Sequence, residues 1–166
     1  MSTLAVDAIT NATGTSAMAI DSSGRITTPA KPAFLAGRTG GNQAFTLGTF
    51  PFNLARINVG NCWNTTTYKF TAPVAGLYYF CGQGYYNDGA GNKRIKLRKN
   101  NNTDIVTAAA NATANDESLN VSIIEQLAVG DTIDMYSDSN TSQTLYYNLN
   151  SATHGPHTYL MGYLIG

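Results

Sequence analysis

A chain of 166 residues is the size of one domain and long enough to bury a full core. Only 12% of its residues are charged, and ten Lys and Arg balance ten Asp and Glu; a surface so poor in clustered cations is not built to hold nucleic acid or an anionic membrane. Near-neutrality leaves little repulsion between copies, which points to a protein partner, foremost the chain itself.

Along residues 1–33, short apolar stretches (Leu4, Val6 and Ile9, then Met18 and Ile20, then Ile26 before Pro29) alternate with the turn-forming clusters 11–16 and 21–24. Two small hairpins fit this pattern. The segment carries too few large apolar side chains to offset its ordering entropy alone. It is therefore expected to be an arm that needs a host surface, with Leu4, Val6, Ile9, Met18, Ile20 and Ile26 as its anchors. No charged leader with a long apolar region opens the chain, and no run reaches the 18 apolar residues of a membrane span, so we expect synthesis in a cytoplasm and no membrane partner.

From residue 34 onward short apolar runs recur at 33–35, 50–58, 66–71, 76–82, 93–99, 103–109, 119–127, 132–137, 144–149 and 158–165. No 3.6-residue period lasts long enough for a helix, and the clusters between runs are turn chemistry. The expected class is all-β, a jelly-roll sandwich of about ten strands over 34–166. Within it, Tyr68 and Phe70 read as one face of a short strand, Pro73 ends that strand, and Gly76 permits a tight turn into Leu77, Tyr78, Tyr79 and Phe80. Tyr78 and Phe80 must face opposite to Tyr79. Residues 87–92, Asn-Asp-Gly-Ala-Gly-Asn, read as a hairpin tip.

Chemistry is sparse. Cys62 and Cys81 are too few for a disulfide framework and read as buried thiols. His154 and His157 lie three apart in a loop and lack the further ligands of a zinc site, so no metal is assigned. Asp131, Asp134 and Asp138 read as turn-capping, solvent-facing carboxylates in preference to calcium ligands. The basic run Lys93, Arg94, Lys96, Arg98 and Lys99 reads as a strand whose charged outer face protects an edge, with a polyanion site as the alternative. No nucleophile, base and acid frame is present, so neither catalysis nor a cofactor is expected.

Three pieces in order carry a resemblance: Phe70, Pro73, Gly76, Tyr78 and Phe80; then Gly130 and Asp131 in Leu-Ala-Val-Gly-Asp-Thr-Ile; then Gly162 in Leu-Met-Gly-Tyr-Leu-Ile. From about residue 34 to the C-terminus the chain resembles the globular head of the first complement component, the tumour-necrosis-factor-like jelly roll of animal and bacteriophage virion proteins. The resemblance implies a ten-stranded jelly roll in a tight homotrimer, its C-terminal strand beside the three-fold axis and a turn at Gly130-Asp131. On that basis Tyr79, Leu160, Tyr163 and Ile165 are the expected interface residues. Residues 4–34 look like N-terminal segments of tailed-phage fibre and head-associated proteins. The two resemblances together imply a virion protein assembled in a bacterial host, its arm gripping a major capsid or other virion protein. The rival is a tail-associated protein that grips a host surface glycan or protein through loops such as 87–92 and 137–143.

Overall fold

In the computed structural model, the described residues are 6–87, 90–113, 116–139, 143–150 and 155–166. The chain forms β1 (Ala8–Thr10), β2 (Ser16–Ile20), β3 (Ile26–Thr27), β4 (Ala33–Gly37), β5 (Asn42–Phe45), β6 (Gly48–Thr49), β7 (Leu54–Val59) and β8 (Trp63–Asn64). Then follow β9 (Lys69–Thr71), β10 (Gly76–Tyr86), β11 (Gly91–Lys99), β12 (Thr103–Ala112), β13 (Glu117–Leu127), β14 (Thr132–Ser137), β15 (Gln143–Tyr146) and β16 (Tyr159–Leu164). Every expected run beyond residue 33 has a strand in it. The strands β5, β6 and β8 escaped the sequence pattern, being polar or two residues long.

The first three strands form their own antiparallel sheet, β1-β2-β3, which confirms two hairpins. One turn device is used twice, ten residues apart. Asn11 Oδ1 accepts the backbone N–H groups of Thr13 and Thr15 at 3.1 and 2.9 Å, and Asp21 Oδ1 accepts those of Ser23 and Arg25 at 2.8 and 2.9 Å. In each turn a glycine, Gly14 or Gly24, takes the positive φ that closes the loop.

The remaining strands make two sheets. A seven-stranded sheet runs β5-β15-β10-β16-β4-β7 with β13 paired to the other side of β10, and a six-stranded sheet runs β12-β11-β14-β9-β8 with β6 paired to β14. Their facing sides carry the core: Phe34, Trp63, Phe70, Tyr78, Phe80, Ile95, Leu97, Leu127, Ile133, Met135 and Leu160 are all buried. Aromatic rings bridge the two sheets, with Phe34 stacked on Trp63 at 4.9 Å and on Phe70 at 5.2 Å, and Phe70 edge-on to Phe80 at 5.3 Å. Such pairs add roughly 0.5–1.5 kcal/mol each beyond the area they bury.

The corner at residues 68–80 crosses between sheets, from β9 in one to β10 in the other. Two details differ from expectation. Tyr68 precedes β9 with φ of 61°, so it belongs to the turn and not to a strand face, although its ring packs against the core. Gly76 is needed for space, not for turning: a Cβ there would lie 2.7 Å from Leu164 Cδ1 and 2.9 Å from the Gly166 carbonyl oxygen. The corner is locked by the Tyr78 hydroxyl, which donates to the Val74 carbonyl at 2.8 Å.

The segment 87–92 is likewise a crossover. It joins β10 and β11, which lie in different sheets, so it is no hairpin tip; residues 88 and 89 fall outside the described residues.

Candidate interaction surface

The three pieces of the resemblance meet at one end of the sandwich. Gly130 N–H donates to Ala72 O at 2.9 Å and Ala72 N–H to Asp131 O at 2.8 Å, which ties the turn before β14 to the corner. Asp131 Oδ2 accepts the Ala128 N–H, capping that turn. Leu77 N–H donates to Gly166 O and Ile165 N–H to Leu77 O, which brings in the C-terminus. At the third piece Gly162 is obligatory: a Cβ would stand 2.5 Å from Phe80 Cδ1 and 2.9 Å from Phe34 Cε1.

The side of the seven-stranded sheet that faces away from the core is the most distinctive surface. Strand register aligns Ile124, Tyr79, Tyr163, Ala33 and Val59 in one row across β13, β10, β16, β4 and β7. The next row is Ser122, Cys81, Met161, Leu35 and Ile57. Leu77 and Ile165 continue the patch at the corner end, while Asn120, Gln83 and Tyr159 make the opposite border polar. Leu77, Ile124, Ile57, Tyr163, Ile165 and Val59 are 37–56% exposed, in contrast to the same strands' core-facing residues. A contiguous apolar face of this kind marks an association site. Tyr79 and Tyr163 hold their rings 5.5 Å apart at its centre. The Cys81 sulfur beside Tyr79, together with burial, holds the Tyr79 hydroxyl above the ordinary tyrosine range.

Of the four interface residues expected from sequence, Tyr79, Tyr163 and Ile165 lie on this face. Leu160 does not: it is fully buried in the core and touches the space beside Gly82. Its side chain points opposite to Tyr163 because residues an odd number apart on a strand face opposite sides. Sequence reasoning missed Leu35, Ile57, Val59, Leu77, Ile124 and Met161, whose alternation was visible but whose face was not.

The basic strand resolves into ion pairs. Arg94, Lys96 and Arg98 face outward on β11, and Asp138 meets Arg94 at 3.3 Å and Lys96 at 2.7 Å, while Asp104 meets Lys96 at 2.7 Å. Asp134 is 1% exposed and takes Arg98 at 2.6 Å, so it is a buried partner and not the solvent-facing carboxylate expected. Lys99 reaches Asp131 at 3.2 Å and Glu125 at 3.4 Å. Lys93 points inward and is buried, with its ammonium over the Tyr86 ring. With these carboxylates on its cations, the strand offers a polyanion little free positive charge. The three aspartates expected near β14 each serve a different partner, and among the described residues no three His, Cys, Asp or Glu side chains converge as a metal site.

Cys62 is buried and Cys81 half-buried, and both are free thiols. Burial raises the Cys62 thiol to about 11. His157 stands between β15 and β10, whereas His154 lies outside the described residues. In the arm, Ile9 pairs with Met18 and Ile20 with Ile26, which sets these four on one face; Val6, Ile9, Ile20 and Ile26 are exposed, and Leu4 lies outside the described residues.

The geometry has counterparts among known proteins. The globular domain of zebrafish complement 1qA protein superposes with a TM-score of 0.63 at 21% identity, covering 82% of this chain and 98% of that one. Eiger TNF from S. frugiperda gives 0.66 at 12% identity, covering 82% and 93%, and murine APRIL 0.61 at 9%, covering 81% and 98%. At these identities the likeness establishes the fold. No curated protein matches the sequence. The model of the C1q domain matches residues 33–165, the whole sandwich, and the chain therefore belongs to the C1q domain family.

Proposed function

We propose that this chain is a virion structural protein that works as a homotrimer, its head associating through the apolar face of the seven-stranded sheet and its arm attaching to a major capsid or other virion protein. The observation that carries the trimer is that face: two registered rows, one centred on Tyr79 and Tyr163 and the next on Cys81 and Met161, with Ile124, Leu35, Ile57 and Val59 beside them. Covering the exposed half of each such side chain recovers on the order of 1 kcal/mol. Summed over the face, this is comparable to the roughly 4–15 kcal/mol that association costs. The arm's face of Ile9, Met18, Ile20 and Ile26 supports attachment, and three arms on one trimer would bind with avidity. The work is adhesion, with no catalytic step.

Sedimentation equilibrium tests the trimer. A species of three times 17.7 kDa is expected, and Tyr163→Lys should return it to 17.7 kDa without loss of strand content. A wild-type chain that stays monomeric at tens of micromolar overturns the reading.

A further inference from the structure

At the end of the sandwich away from where the arm joins, the described residues that line an open notch of about 290 Å³ are Tyr85 near the end of β10, Asn87 just beyond it, Tyr146 at the end of β15, and His157 in the approach to β16. The arm joins the head at Pro32, whose carbonyl accepts the Leu164 N–H, and Leu164 stands opposite Tyr78. Tyr85 lies seven residues further along β10, roughly 23 Å by strand rise.

The notch is built rigidly. The three rings meet edge to face, at 6.2 Å for Tyr85 and Tyr146, 5.3 Å for Tyr85 and His157, and 4.8 Å for Tyr146 and His157. The Tyr85 hydroxyl donates to Asp116 at 2.8 Å, and the Tyr146 hydroxyl accepts from Asn148 at 3.3 Å. The approach to β16 is pinned by Gln83, which donates to His157 O at 2.9 Å, and by Thr158, whose hydroxyl donates to Tyr146 O at 2.7 Å and accepts the Tyr85 N–H at 3.1 Å. Asn87 donates an amide N–H to Asn42 Oδ1 at 3.1 Å, which orients its amide beside the notch.

We propose that this notch binds one neutral pyranose ring of a host-surface glycan. The three rings give the notch an apolar wall for the C–H groups of a sugar, while the Asn87 amide and the Tyr146 hydroxyl stand where polar contacts would orient it. The size lies at the lower end for small-molecule pockets, which suits a single ring. Among the described residues that line it there is no Lys, Arg, Asp or Glu, and the Asp116 carboxylate beside it already accepts the Tyr85 hydroxyl; an anionic sugar finds no counter-charge in this lining. The rings touch one another instead of standing apart, so they form a ledge and not a cage for a quaternary ammonium. The proposal deepens the rival reading, a protein that grips a host surface, since the notch sits at the end of the head opposite the junction with the arm. Only its trivalent display rests on the trimer; the site lies within one chain.

Saturation-transfer NMR on the full chain with methyl β-galactoside, methyl α-glucoside and N-acetylglucosamine tests it. Saturable binding of at least one is expected, with a millimolar Kd, the range that one ring reaches. Asn87→Ala and Tyr146→Ala should each weaken it about tenfold, the loss of one oriented contact. Tyr163→Lys, on the association face, should leave the Kd per chain unchanged, so failure of the trimer and failure of the site read out separately. Asn87 is partly exposed, so its variant keeps the test open if Tyr146→Ala does not fold. No transfer to any of the three sugars at tens of millimolar, binding indifferent to Asn87→Ala, or stronger transfer to tetramethylammonium or N-acetylneuraminic acid overturns the assignment.

Discussion

Gly162 occupies a place on β16 where no larger residue fits, because the Phe80 and Phe34 rings fill the space its side chain would need. Both rings are buried in the aromatic stack and have nowhere to move. Gly162→Ala should therefore destabilise the head by roughly 1–3 kcal/mol, as overpacking does, read as a fall in urea midpoint with an unchanged slope. Asp138 makes a second prediction. The Lys96 ammonium bonded to it, with Arg94 nearby, lowers its carboxyl below the ordinary 3.8. A carboxyl depressed on folding adds stability that is complete above its unfolded value and is lost as pH falls through the folded one. Melting temperature should thus drop as pH is lowered past about 4, and Asp138→Asn should flatten that drop; an identical profile in the variant would refute the pairing as a source of acid sensitivity.

At the scale of a strand, β16 separates folding from association. Leu160→Ala removes a fully buried side chain and should cost about 2–5 kcal/mol of folding stability. Tyr163→Ala, three residues on, touches the outward face and should leave the chain folded while weakening self-association, visible as a melting temperature that becomes less dependent on protein concentration. The opposite pattern would place the association face elsewhere. The expectation that Leu160 and Tyr163 share an interface conflicts with the period of two along a strand, so side-chain alternation on β16 is enough to separate them. What alternation alone withholds is which of two faces is covered by a second sheet. Tyr78, Phe80 and Leu160 are core because β9, β11 and β14 supply a facing layer, and Tyr79, Met161 and Tyr163 are not.

At the scale of the molecule, the arm and the head are separable predictions. Cutting after residue 30 keeps Lys31, whose ammonium donates to Ile165 O, and Pro32, which accepts from Leu164. The truncated chain should form the same trimer yet no longer associate with particles, checked by co-sedimentation; retention on particles would locate attachment in the head. The sequence by itself determined the longer strands, most of their turns and the jelly-roll resemblance, because alternation, the turn chemistry of Asn, Asp and Gly, and Pro73 act over a few residues. Only the tertiary structure decided that Ala72, Asp131 and Gly166 meet at one corner, that the 87–92 segment crosses between sheets, and that Asp134 is buried under Arg98. It also gathered the Tyr85, Asn87, Tyr146 and His157 notch from three elements. Each of these depends on partners tens of residues away, and pairing over such distances is set by how two sheets close on one core, which no local pattern encodes.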